Sequence, residues 1–151
     1  MSVQRVSTIF FDLGDTLVRS GLRAWVPGAI ETLNALSAKS LKLGIISNTG
    51  DLTRDQLSAL LPTDFRFQAF ETDLILLSSE VGLVKPSPEI FAAAVSRANV
   101  EAAKCLYCGE DLGEALVAQA VGMRVARLLT PPSSDIGKLT ASLVASGLIA
   151  A

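Results

Sequence analysis

Histidine is absent from the 151 residues, and with it go the Ser-His-Asp and Cys-His nucleophile systems and every His-containing metal site. Acid–base chemistry is left to carboxylates, Lys, Tyr or Cys. Cysteine is nearly as scarce, with Cys105 and Cys108 forming a lone CxxC. A zinc knuckle needs a second pair or histidines, and a redox pair is expected to open a helix after a strand. Both thiols sit instead in an apolar run and are expected to be buried strand residues. Basic bias is missing too: the formal charge is −2 and the pI about 5.1. Lys and Arg are scattered, so no basic face for nucleic acid is expected. No apolar run approaches the ~20 residues that span a bilayer. The first residues show no charged segment, apolar core and small-residue cleavage site. The expectation is a soluble, cytoplasmic protein with no membrane partner. No internal repeat, low-complexity tract or linker interrupts the chain, so residues 1–151 are expected to form one domain.

Hydrophobic residues make up 50% of the chain, ample for a core. The stretch Val6–Leu17 (VSTIFFDLGDTL) is an apolar run that stops at Asp12 and breaks into a Gly-containing acidic turn. A short apolar run bounded by turn residues is the pattern of a strand buried on both faces. Asp12 then sits at the carboxyl end of that strand, where ligands bind in open α/β sheets. Val18 to Pro27 reads as a loop or flap holding Arg19, Arg23 and the only Trp, Trp25. Ile30, Leu33 and Leu36 predict an amphipathic helix. LKLGIISN is a second buried strand ending at Ser47 and Asn48, and Asp51 is the predicted N-cap of a helix that Pro62 closes.

FRFQAF alternates as a strand would, LILL is short and apolar, and SSEVGLVKP reads as a loop closed by Lys85 and Pro86. Ser87, Pro88 and Glu89 make a helix start. CLYCG is a further strand leading into an acidic turn, Glu110 to Glu114, and a helix that Gly122 caps. MRVARLL is the last strand, and the apolar tail reads as a helix packed on the sheet, with self-association into a homo-oligomer as the alternative. Strands alternating with helices predict an α/β fold with a doubly wound parallel sheet.

A parallel sheet gathers the polar strand ends on one edge: Asp12, then Ser47 and Asn48, then Lys85, then Glu110 and Asp111. A carboxylate nucleophile, a hydroxyl and amide, an ammonium and an acidic pair are the parts of phosphoryl transfer. Carboxylates hold Mg²⁺ through oxygen, and Lys with backbone N–H groups stabilises charge on the transferring group.

Four segments, FFDLGDTL, LGIISNTG, VGLVKPSPEIF and CLYCGEDLGEALVAQAVGMRV, span nearly the whole chain. In them the sequence resembles the haloacid dehalogenase-like superfamily of phosphohydrolases. The resemblance implies a three-layer, Rossmann-like core in which Asp12 is the nucleophile that becomes an aspartyl phosphate. It implies that Ser47, with Thr16 and Asn48, binds the phosphoryl group and that Lys85 neutralises it. Mg²⁺ is implied at Asp12, the Gly14 carbonyl and Glu110 or Asp111. Two departures stand out. The family's second Asp, which protonates the leaving group, is replaced by Gly14, and an acid follows one residue later at Asp15, the alternative acid–base group. Glutamates stand at Glu110 and Glu114 where the family has aspartates. The spacing between motifs leaves no room for an inserted cap, so a capless member is expected, acting on a small-molecule or macromolecular phosphate. Arg19, Arg23 and Trp25 are the flap residues that can meet substrate, with a flap-to-core anchor the more ordinary role for Trp25. The rival readings are a phosphate-binding or regulatory protein without turnover, a receiver-type phosphoacceptor, whose acidic pair precedes its acceptor Asp rather than following the Lys, and a dehalogenase, which normally needs a helical cap.

Overall fold

The computed structural model describes residues 4–129 and 135–151. Its centre is β1 (Thr8–Phe11), four residues that are all buried. Ile9 and Phe11 enter one core and Phe10 the other, the alternation a strand imposes on its two faces. Fully burying each of these side chains contributes about 1.5–3 kcal/mol. The other strands of the sheet are β4 (Lys42–Ser47), β5 (Ile75–Leu77), β6 (Cys105–Gly109) and β7 (Arg124–Arg127). The order is β5-β4-β1-β6-β7, and every pair is parallel. Gly44 pairs with Phe10. A Cβ there would lie 2.7 Å from the Phe10 ring and 2.6 Å from the Leu74 carbonyl, so only glycine lets the two strands and the Phe ring close up.

Helices α1 (Ala29–Ala38) and α6 (Leu139–Ala145) cover the face of Ile9 and Phe11. The opposite face is covered by α4 (Pro88–Ala98) and α5 (Leu112–Val121). This is the doubly wound, three-layer arrangement the sequence predicts. From β1 the chain builds outward through β4 and β5, then returns to the other side of β1 for β6 and β7. The reversal opens a crevice at the carboxyl end of β1, where Asp12 follows.

The flap is an antiparallel hairpin of β2 (Val18–Arg19) and β3 (Ala24–Trp25). Trp25 anchors it, stacking on Phe65 at 5.3 Å and donating from Nε1 to Asp64 Oδ1 at 2.8 Å. Arg23 is spent in the same way, its Nε donating to the Leu61 carbonyl at 3.1 Å. Between Asp12 and Ser47 the chain holds this hairpin, α1 and β4. Between Ser47 and Lys85 it holds α2 (Arg54–Ser58), two 3-10 turns, β5 and the single-turn α3 (Ser78–Val81). Neither connection contains a further domain.

Several local expectations are corrected. α2 is capped by Thr53 rather than Asp51, because Thr53 and Gln56 form a capping box with bonds of 3.1 and 2.9 Å. FRFQAF is not a strand: Phe67–Ala69 is a 3-10 turn. Its aromatics satisfy each other, Phe65 packing on Phe67 at 5.1 Å and on Phe70 at 5.9 Å. The loop expected over SSEVGLVKP contains α3, ended by Gly82 in the left-handed conformation. Ile30 lies at the edge of its helix face, 36% exposed, and the buried stripe is Ala29, Thr32, Leu33 and Leu36. Among the described residues no helix is long and apolar enough to cross a membrane.

Candidate active site

Asp12 is fixed by the sheet before any site chemistry begins. Its backbone N–H donates to the Cys108 carbonyl at 3.0 Å, carrying the β1–β6 ladder one residue past β1. The Leu13 N–H then donates to Asp12 Oδ1 at 2.8 Å, and Lys85 Nζ donates to the same oxygen at 2.8 Å. The other carboxylate oxygen, Oδ2, is left for a ligand. Burial pushes the Asp12 carboxyl above its ordinary 3.8; Lys85 counters this in part, and the charge of Glu114 adds to the rise.

Lys85 is the most enclosed charge in the site, its side chain 2% exposed. Its Nζ lies 2.8 Å from Asp12 Oδ1, 2.9 Å from Glu114 Oε1 and 3.0 Å from Tyr107 Oη. Tyr107 Oη in turn donates to Glu114 Oε1 at 2.7 Å. Burial, then the charges of Asp12 and Glu114, push the Tyr107 phenol far above its usual value, so it stays a neutral donor. The backbone of Lys85 is held as firmly as its head. Asn48 Oδ1 accepts from the Lys85 N–H at 2.8 Å, and Asn48 Nδ2 donates to the Lys85 carbonyl at 2.9 Å. The oxygen and one N–H of the Asn48 amide, expected to meet substrate, are thus bonded to the main chain of Lys85.

Ser47 closes β4 beside Asp12 and is buried, and its hydroxyl makes no hydrogen bond to the described residues. Thr16 is fully buried in the turn after Asp12, and its Oγ1 has no partner among the described residues. Asp15 takes a left-handed backbone, φ 60°, and its Oδ1 accepts from the Ser20 N–H at 3.2 Å, bracing the flap. Gly14 bridges to Val18, and a Cβ there would lie 3.0 Å from Ser20 Oγ.

The acidic turn carries three carboxylates with different surroundings. Asp111 caps α5, its Oδ1 accepting from the Glu114 N–H at 2.8 Å, which leaves Oδ2 without a bond to the described residues. Glu114, one turn on, belongs to Lys85 and Tyr107. Glu110 is the half-buried carboxyl that remains. Desolvation first, then the charges of Asp12, Asp111, Glu114 and Asp15, raise it above the ordinary glutamate value. Negative charge thus concentrates at the crevice, with hard oxygen donors facing it. Among the described residues no three carboxylates or thiols are grouped closely enough to hold a metal by themselves. Mg²⁺ does not ask for that, since it keeps several waters and binds through one or two carboxylates plus substrate phosphate. The donor chemistry fits such an ion.

Cys105 and Cys108 are buried strand residues, as the sequence predicts, with the Cys105 thiol pushed up to about 11 by burial. Neither is poised for redox work. Sequence reasoning missed Tyr107 and did not foresee that Glu114 pairs with Lys85. A signal for Tyr107 was present: it is the only tyrosine, placed in an apolar buried strand, and a buried phenol must find a partner.

A model of the family described as haloacid dehalogenase-like hydrolase matches residues 9–128. Protein CbbY of Rhodobacter capsulatus is 29% identical over 116 residues, covering 76% of this chain and 49% of that protein. A ribulose-1,5-bisphosphate 5-phosphatase of Halopiger xanaduensis is 32% identical over 111 residues, covering 73% of this chain and 44% of that protein. The chain spans half or less of the length of these curated relatives. Among solved structures, a HAD family hydrolase of Deinococcus radiodurans with bound phosphate and sodium superposes with a TM-score of 0.78 at 17% identity, covering 96% of this chain and 98% of that one. At that identity the likeness speaks for the fold alone.

Proposed function

The chain belongs to the haloacid dehalogenase-like hydrolase family, and from that premise we propose that it is a Mg²⁺-dependent phosphohydrolase working through an aspartyl phosphate on Asp12. The observation that carries the reading is the Asp12–Lys85 contact of 2.8 Å at the crevice of the sheet, with one Asp12 oxygen held and the other free. Asp12 Oδ2 forms a bond to phosphorus as the ester P–O bond breaks and the leaving group departs with its electron pair. Water then attacks the phosphoaspartate, releasing inorganic phosphate and restoring the carboxylate. Lys85 stabilises negative charge on the phosphoryl oxygens in a nearly water-free setting, where a fixed cation is most effective. The unpartnered hydroxyl of Ser47 orients a phosphoryl oxygen, and Thr16 supplies a second unbonded hydroxyl in the Asp12 turn. Asp12, Glu110 and the carbonyl of Gly14 would hold Mg²⁺, which would offset the charge of the transferring group. Asp111 Oδ2 is a further oxygen for that set, while Glu114 is paired with Lys85.

The leaving group is the weak point. Gly14 has no proton to give, and Asp15 is turned to the flap. General acid help is worth about 10²–10⁴ in rate, roughly 3–5 kcal/mol. Enhancements for phosphate monoesters reach ~10²¹, so the loss slows turnover without abolishing it. Substrates with good leaving groups, such as aryl or acyl phosphates, suit this site best. The relatives named as phosphatases of ribulose 1,5-bisphosphate and of glyceraldehyde 3-phosphate support a phosphate ester as the substrate class.

The test is hydrolysis of p-nitrophenyl phosphate with and without Mg²⁺, with Asp12→Asn as control. Metal-dependent turnover that the substitution abolishes is expected. No turnover across a broad panel of phosphates would overturn the reading and leave a phosphate-binding protein, the alternative that Gly14 motivates.

A further inference from the structure

The Lys85 ammonium donates hydrogen bonds to Asp12 at 2.8 Å and Tyr107 at 3.0 Å and forms an ion pair with Glu114 at 2.9 Å. With three partners within 3.0 Å, the ammonium is closely surrounded, and a phosphoryl oxygen that approaches it from the Asp12 side competes with Asp12. Two of them are also bonded to each other, Tyr107 Oη donating to Glu114 Oε1 at 2.7 Å. Lys85, Glu114 and Tyr107 therefore form a closed triangle of short contacts, and Asp12 is the one partner outside it. A closed triangle resists rotation of the ammonium, because any swing toward one corner stretches the other two.

The surrounding structure is built to hold Tyr107 in that corner. Its ring is fully buried and meets Phe91 edge-on at 5.1 Å. It folds back over Gly109, where a Cβ would lie 3.0 Å from the hydroxyl and 3.2 Å from the ring. The absence of a side chain at residue 109 lets the phenol take this close path to α5. As the sole neutral member of the cluster, it accepts an ammonium N–H without adding negative charge beside Asp12.

We infer that Tyr107 is a positioning residue: it closes the triangle that holds Lys85 still while the Asp12-facing N–H is handed to a phosphoryl oxygen. The inference rests on the phosphohydrolase reading above. It also gives Glu114 its role, anchoring the lysine rather than holding metal.

Tyr107→Phe tests this, since Phe keeps the ring packing against Phe91 and removes only the hydroxyl. With p-nitrophenyl phosphate and saturating Mg²⁺, kcat is expected to fall about 10- to 100-fold with KM within about twofold, the pattern of an interaction that matters in the transition state. Glu114→Gln and the double variant complete a cycle. If Tyr107 acts through the triangle, the hydroxyl loss costs less than about twofold once Glu114 is Gln. A kcat for Tyr107→Phe equal to the parent overturns the inference and leaves the phosphohydrolase reading intact. So does a full multiplicative loss in the double variant, which marks Tyr107 as merely structural. A parent protein with no turnover, matched by Asp12→Asn, overturns the underlying reading and this inference with it.

Discussion

Lys85→Met isolates what the buried ammonium does for the fold as well as for the site. The lysine side chain is 2% exposed and the Asp12 side chain 12%, with 2.8 Å between their charged atoms. Glu114 adds a second carboxylate at 2.9 Å. Methionine fills much of the same volume but leaves both carboxylates without their cation. Breaking one partner out of a buried pair costs about 3–5 kcal/mol, a large share of a total stability of about 5–15 kcal/mol. At about 2–4 °C per kcal/mol for a chain of this size, the melting temperature should fall by about 6–20 °C.

The pH dependence gives the sharper test. Burial holds the Asp12 carboxyl above 3.8 in the folded state, and Lys85 is the main influence pulling it down. Without Lys85 the folded value climbs further. A carboxyl raised on folding contributes stability that is fully present below its unfolded pKa and is lost as the pH rises through the folded one. The variant's deficit should therefore be largest near neutral pH and shrink as the pH falls toward about 4. Thermal unfolding followed by circular dichroism, in chelator so that no metal masks the missing charge, measures both. A drop of less than about 3 °C at neutral pH would mean that water or local movement already relieves the carboxylates. A deficit that does not narrow on acidification would refute the electrostatic account outright.

Two further substitutions probe the reaction. A side chain at position 14 would approach Ser20 Oγ at 3.0 Å, and Ser20 is an exposed residue whose hydroxyl can rotate away. Gly14→Asp should therefore be tolerated and raise kcat on alkyl phosphates by about 10- to 100-fold, within the usual range for an added general acid. The dependence of rate on leaving-group pKa, steep in the parent across a series of aryl phosphates, should flatten in the variant; an unchanged slope would show that position 14 does not face the leaving group. Gly109→Ala sets a methyl group against the Tyr107 hydroxyl and ring, 3.0 and 3.2 Å away. It should lower kcat as Tyr107→Phe does and add little to it in combination; kcat within about twofold of the parent would show that the ring has room to move.

The layout of the fold follows from local rules. A four-residue strand buried on both faces, strands alternating with helices, and Asp12 placed just past the first strand follow from hydrophobic patterning and turn chemistry, which act over a few residues. The same local rules place Pro88 in the first turn of α4 and Gly122 at the end of α5. They fail where two local signals compete, as at Asp51 and Thr53, or where distant aromatics decide the matter, as around Phe67.

Who touches whom at the sheet edge is a matter of long-range packing. Asp12, Lys85, Tyr107 and Glu114 come from the residue after β1, the segment before α4, β6 and α5, and no spacing rule says that Glu114 rather than Glu110 meets the lysine. That choice depends on Asp111 capping α5, which sets the helix phase and turns Glu114 inward. Likewise Asn48 reads as a ligand-binding amide until the packing of its loop against Lys85 gives both ends of that amide a partner. Burial supplies the physical reason: a charged or polar group removed from water must be satisfied by whatever lies within hydrogen-bond reach, and in a parallel sheet those neighbours are distant in sequence.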